Sequence, residues 1–146
     1  MSGRILIVDD EPANILLLES ILEDTAGEIR GLQDSHQVEQ VFTEFEPDIV
    51  LLDLHMPEPD GLEVLRRLRS LRNSLGFLPV IVLTGDTGKV ARNSALILGA
   101  DDFLTKPLDH EEVVLRVRNL LRTRELYAEL AKANAEMEQR RERRPS

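Results

Sequence analysis

The chain of 146 residues has no cysteine. This excludes disulfides, thiol nucleophiles and thiolate metal sites. It also has no apolar run near the roughly 20 residues that a membrane-spanning helix needs. The first residues lead directly into a short apolar run, without the charged segment, longer apolar stretch and cleavage site of a signal peptide. A cytoplasmic location is therefore expected. Positive charge is in the minority, with 18 Lys and Arg against 27 Asp and Glu and a formal net charge of -9. That balance argues against direct nucleic-acid binding, which wants a basic face, and against adhesion to anionic membranes. The length suits one α/β core of about 120 residues with an appendage. Internal repeats and low-complexity stretches are absent.

Four short apolar runs each lead to a polar residue. Ile5-Leu6-Ile7-Val8 precedes Asp9 and Asp10, and Ile49-Val50-Leu51-Leu52 precedes Asp53. Val80-Ile81-Val82-Leu83 precedes Thr84, and Phe103-Leu104-Thr105 precedes Lys106. Runs of this kind, separated by helical patterns, predict buried parallel strands. Strands are expected at 4–8, 28–32, 48–53, 79–84 and 102–104, with Gly31 weakening the second. Helices are expected at about 12–23, 35–45, 62–72 (after a loop over 56–61), 89–98 and from 109 onward. Pro12 opens the first, Ser35 is the expected cap of the second, Gly99 ends the fourth and Asp109 caps the last. Ile15, Leu16, Leu18, Ile21 and Leu22 form the apolar face of the first helix. Alternating strands and helices imply right-handed crossovers and a parallel sheet.

Ligands of open parallel sheets bind beyond the carboxyl ends of the strands. Three carboxylates, a hydroxyl and an ammonium thus converge on one crevice. Aspartate oxygens suit Mg²⁺, which prefers hard oxygen ligands and keeps waters or phosphate oxygens in its shell. Lys106 suits a phosphate oxygen as a point charge, and Thr84 can donate to another. Asp53 lies between the first acidic pair and the lysine, placed to act as a carboxylate nucleophile toward phosphorus. A lone strand-end aspartate is usually a cap or loop residue. Three in one crevice are costly without a cation.

The motifs Val8-Asp9-Asp10-Glu11, Leu52-Asp53-Leu54-His55-Met56-Pro57, Asp60-Gly61, Leu83-Thr84-Gly85 and Thr105-Lys106-Pro107, in this order, resemble the receiver domain of two-component response regulators. The resemblance covers residues 4 to about 122. It implies a flavodoxin-like sheet of order 2-1-3-4-5 with five helices, and a signalling module without a separate substrate to turn over. It makes Asp53 the phosphoacceptor and gives Mg²⁺ (or Mn²⁺) to Asp9, Asp10, Asp53 and the backbone carbonyl of His55, with Asp10 the more direct ligand. Thr84 and Lys106 would contact the phosphoryl group, and Phe103 would be the aromatic switch. Met56, Pro57, Gly85, Asp86 and Pro107 would flank the site, and the Lys106–Pro107 bond is commonly cis in the family. Gly85 stands where the family often has alanine, and Asp86 is expected to tune attack by water. The implied partner is a sensor histidine kinase or a phosphotransfer protein. A phosphatase built on an aspartyl phosphate would want a second aspartate two residues after the nucleophile, where His55 stands. A pseudo-receiver acting only as a binding module is the alternative.

From Asp109 to about Arg143 there is no proline or glycine. Residues 1–122 read as the receiver and 123–146 as a helical extension. Leu120, Tyr127, Leu130, Asn134 and Met137 fall on steps of three, four and seven residues, as in a heptad seam that joins two copies. The other reading of this stretch is a solvated tail.

Overall fold

The computed structural model describes residues 3–57, 60–71, 77–85 and 89–143. Five strands, β1 (Arg4–Val8), β2 (Glu28–Leu32), β3 (Ile49–Asp53), β4 (Val80–Thr84) and β5 (Asp102–Thr105), form one parallel sheet in the order β2-β1-β3-β4-β5. The helices between them are α1 (Pro12–Leu22), α2 (Val38–Phe45), α3 (Gly61–Ser70) and α4 (Lys89–Ile97), followed by α5 (His110–Arg143). This is the flavodoxin-like order expected.

Side chains alternate across a strand, so each central strand feeds two cores. Leu6, Val8, Val50, Leu52, Val80 and Val82 pack with Val38, Phe42, Val64, Leu65 and Ala95 on the α2–α3–α4 side. Ile5, Ile7, Ile49, Leu51, Ile81 and Leu83 pack with Ile15, Leu18, Val113, Val117 and Leu121 on the α1–α5 side. Being covered on both faces is why β1, β3 and β4 read as unbroken apolar runs. Each buried Val, Leu or Ile contributes about 1.5–3 kcal/mol relative to exposure.

Local chemistry refines the sequence reading. Gly31 of β2 is required rather than merely tolerated, since a Cβ there would lie 2.4 Å from Ile15 Cγ2 of the overlying helix. Ser35 is not the cap of α2. It begins a separate 3-10 turn, Ser35–Gln37, capped by Asp34, whose Oδ1 accepts the His36 N–H at 3.0 Å. Leu16, expected on the apolar face of α1, is exposed. Gly99 ends α4 with φ of 101°, the left-handed conformation a glycine stop supplies. α3 ends at Ser70, short of the expected end near Arg72, because Leu71 is already extended with φ of -87° and ψ of 131°; Arg72 itself lies outside the described residues.

Asp109 caps α5, accepting the Glu112 N–H at 3.1 Å, and the helix then runs unbroken for 34 residues. Val113, Val117 and Leu121 hold its first half in the core. Further along, buried Arg124 donates from Nε to Asp48 Oδ1 at 3.0 Å and from Nη1 to the Phe77 carbonyl. The Tyr127 ring rests 4.9 Å from that of Phe77. Packing against the body thus reaches Tyr127, and residues 129–143 are all exposed.

Candidate functional site

The pairing register levels the strand ends. Val8 is opposite Leu52, Asp53 opposite Leu83 and Thr84 opposite Thr105. Asp9, Asp10, Asp53, Thr84 and Lys106 therefore open onto one edge of the sheet. Asp9, Asp10 and Asp53 each bring a carboxylate oxygen within 4.8 Å of the others. Lys106 Nζ lies 3.4 Å from Asp53 Oδ1 and 3.8 Å from Asp9 Oδ2. The lysine thus reaches both the expected nucleophile and Asp9 of the expected metal pair, whereas the residue pattern alone joined it only to a phosphoryl group.

Each buried aspartate shapes the loop that follows it. Asp9 Oδ1 accepts the Glu11 N–H at 2.9 Å and Asp53 Oδ1 accepts the His55 N–H at 3.0 Å. Behind Asp53, α3 begins at Gly61, where a Cβ would sit 2.4 Å from the Asp53 carbonyl oxygen and the Leu54 Cα. Asp60 caps this helix by accepting the Glu63 N–H at 2.9 Å. The Asp60-Gly61 pair is therefore an element of the site, not only a turn signal. Thr84 is buried and its hydroxyl donates to the Gly85 carbonyl at 2.9 Å, while the Lys106 N–H donates to the Thr84 carbonyl at 2.7 Å. Lys106–Pro107 is a cis peptide.

The electrostatics leave the site short of positive charge. Asp9 is fully buried, and its Oδ2 has no hydrogen-bond partner. Burial, and next the charge of Asp53, hold its carboxyl above the usual value of 3.8, against the opposing pull of the Glu11 N–H and Lys106. One ammonium does not balance three carboxylates. A small divalent cation with oxygen ligands fits this donor set and would satisfy the orphaned oxygen.

Around this centre, Met56 is buried and the His55 side chain is exposed. A Cβ on Gly85 would meet nothing within 4 Å, so the alanine common there would also fit. Asp86 lies outside the described residues. Phe103 is partly buried beside the α4-side core, with the Arg92 guanidinium 4.1 Å above its ring. Arg92 escaped the sequence reading because nothing local marks an arginine on α4 as the neighbour of β5. Of the seam residues, Leu120 packs partly into the core and Tyr127 meets Phe77, while Leu130, Asn134 and Met137 are exposed.

A family model of the response regulator receiver domain matches residues 5–118. The chain belongs to that family. It is 39% identical over 119 residues to the transcriptional regulatory protein TrcR of Mycobacterium tuberculosis, covering 82% of this chain and 45% of TrcR. To the response regulator PleD of Caulobacter vibrioides it is 38% identical over 135 residues, covering 92% of this chain and 30% of PleD. This receiver thus spans less than half the length of these relatives. Among solved structures, NtrX from Brucella abortus superposes with a TM-score of 0.81 at 28% identity, covering 91% of this chain and 30% of NtrX. The N-terminal signal receiver domain of a two-component system response regulator from Bacteroides fragilis gives 0.74 at 25% identity, covering 83% and 98%. Receiver domains are signalling modules of two-component systems that take Mg²⁺ at an acidic pocket and interact with sensor kinases or phosphotransfer proteins. Among the described residues, no helix is long and apolar enough to cross a membrane.

Proposed function

We propose that this receiver accepts a phosphoryl group on Asp53 from the phosphohistidine of a sensor kinase or phosphotransfer protein, in the cytoplasm. The observation that carries this reading is the partly compensated carboxylate cluster, in which Asp53 touches Lys106 beside the orphaned oxygen of Asp9. The Asp53 oxygen not held by the His55 N–H attacks phosphorus. The P–N bond breaks with its electron pair returning to the imidazole, and an acyl phosphate forms. Lys106 neutralises phosphoryl charge as it leaves the carboxylates. Asp9, Asp10, Asp53 and the His55 carbonyl would hold Mg²⁺ (or Mn²⁺). Bound there, the ion supplies positive charge to the transferring oxygens, where catalysis is mostly positioning and electrostatics. The Thr84 hydroxyl turns from the Gly85 carbonyl toward a phosphoryl oxygen, Phe103 follows, and the face of α4, β5 and α5 changes. Asp86 sets the rate at which water attacks the acyl phosphate.

Residues 1–122 form the receiver in this reading, and 123–146 carry the change onward through α5, joining two copies. Intact mass after incubation with acetyl phosphate tests the chemistry. A gain of one phosphoryl group that needs Mg²⁺ and is absent in Asp53→Asn is expected. No gain from acetyl phosphate or from a phosphorylated histidine phosphotransfer domain would leave the binding-module alternative. An Asp86→Ala variant with an unchanged acyl-phosphate half-life would remove the role given to Asp86.

A further inference from the structure

Phe103 is opposite Val82 and Thr105 opposite Thr84 in the β4–β5 ladder. Val82 faces the α4-side core, so Thr84, Phe103 and Thr105 share that face by alternation. Arg92, on the first turns of α4, spans the two β5 residues. Its guanidinium carbon is 4.1 Å from the centre of the Phe103 ring, and Nη2 donates to Thr105 Oγ1 at 2.9 Å. Its Nε is buried without a hydrogen-bond partner. The cation is therefore held in place by one hydroxyl and one aromatic face.

We propose that Arg92 is a positioning residue for the switch, holding the Phe103 ring in its present, half-exposed place and opposing its inward movement. This rests on the phosphoacceptor reading above. The ring cannot stay beneath the guanidinium and also enter the space that Thr84 leaves when drawn to a phosphoryl group. If the ring moves, Arg92 loses its aromatic contact. Arg92 thus favours the unphosphorylated arrangement, and anything that binds only the switched state pays that difference in apparent affinity. Thr105 makes the restraint directional, because it anchors the guanidinium one residue from Lys106.

The test is calorimetric titration of the full chain with beryllofluoride, a non-covalent phosphoryl mimic, in saturating Mg²⁺. Arg92→Gln is expected to bind the mimic about 3–10-fold more tightly, with affinity for Mg²⁺ alone unchanged. In a Phe103→Leu background the same substitution is expected to change affinity less than twofold. Unchanged or weaker binding by Arg92→Gln would overturn the proposal. So would an equal gain in the Phe103→Leu background, since Arg92 would then act elsewhere. Failure of the wild-type chain to bind the mimic would overturn the phosphoacceptor reading and this inference together, whereas failure confined to the Arg92 variants leaves that reading standing.

Discussion

Asp9 carries a carboxylate into the protein and leaves one of its oxygens without a hydrogen bond, with only the Lys106 ammonium 3.8 Å away. An unsatisfied buried acceptor costs about 1–3 kcal/mol, so a residue proposed to hold a metal ion strains the metal-free fold. Asp9→Asn keeps the acceptor for the Glu11 N–H and removes the charge. We expect it to unfold at higher urea than wild type in EDTA at pH 7, by about 1–3 kcal/mol. The pH dependence has a definite sign. The folded-state value of Asp9 is raised above 3.8, so in this window the native state binds more protons than the unfolded one. Wild type then loses stability as pH rises from about 3.8 through the raised folded value. Asparagine loses none, and the advantage of the variant should grow over that interval and then level off. Mg²⁺ should reverse the order, because a ligand at 100 times its Kd stabilises by about 2.7 kcal/mol and the variant lacks one carboxylate of the set. Urea melts across pH, with and without metal, decide it. An Asp9→Asn chain no more stable than wild type at pH 7 in EDTA would refute the argument.

Two glycines separate what holds the elements together from what shapes the site. A Cβ at Gly61 would collide with backbone atoms of Asp53 and Leu54, while one at Gly31 would collide with a side-chain carbon of Ile15. Overpacking of this kind costs about 1–3 kcal/mol, and backbone gives way less readily than a side chain. Gly61→Ala is therefore expected to lower both stability and the rate of phosphorylation by acetyl phosphate, because α3 pushes on the strand end carrying Asp53. Gly31→Ala is expected to lower stability alone, its strand lying away from Asp53 on the far side of β1. Equal rates for the two variants would show that Gly61 does not set the position of Asp53. The same pair shows what was legible beforehand. Strand ends were readable because strands covered on both faces must be apolar throughout, which places Asp9, Asp53 and Thr84 by counting. Gly31 looked like a weakness, since its reason lies in a helix 16 residues earlier in the chain. The cap Asp34 is a local bond to the His36 N–H, set by turn chemistry that helical periodicity does not report, whereas the exposure of Leu16, the reach of Lys106 to Asp9 and the placement of Arg92 over Phe103 depend on packing between elements, which periodicity along one element does not carry.

For the molecule as a whole, the exit of α5 decides how a switch could reach anything else. Asp48 accepts the Arg4 N–H at 2.8 Å with one oxygen and Arg124 with the other, so the helix is tied to the start of the sheet opposite the site. Arg124→Ala is expected to cost about 1–3 kcal/mol in urea melts while leaving phosphorylation intact. Beyond Ala128 the helix stands in water, and an isolated helix of this length is marginal alone. Leu126, Leu130 and Met137 are each more than half exposed. With Ala133 they lie at steps of four, three and four on one face. In a parallel pair, this register sets Glu136 of one copy beside Arg141 of the other. The proposed dimer is better served by this stripe than by one through Tyr127, whose ring is occupied by Phe77. We expect light scattering to show a dimer for the full chain and a monomer for a chain ended after Ala128, which keeps the Arg124 and Tyr127 contacts. Ala133→Glu should give a monomer and Asn134→Glu should remain dimeric. The reverse result would restore the seam through Tyr127 and Asn134. Equal monomer masses for the full and shortened chains would remove the coiled coil, and α5 would then be a solvated lead toward whatever the switch controls.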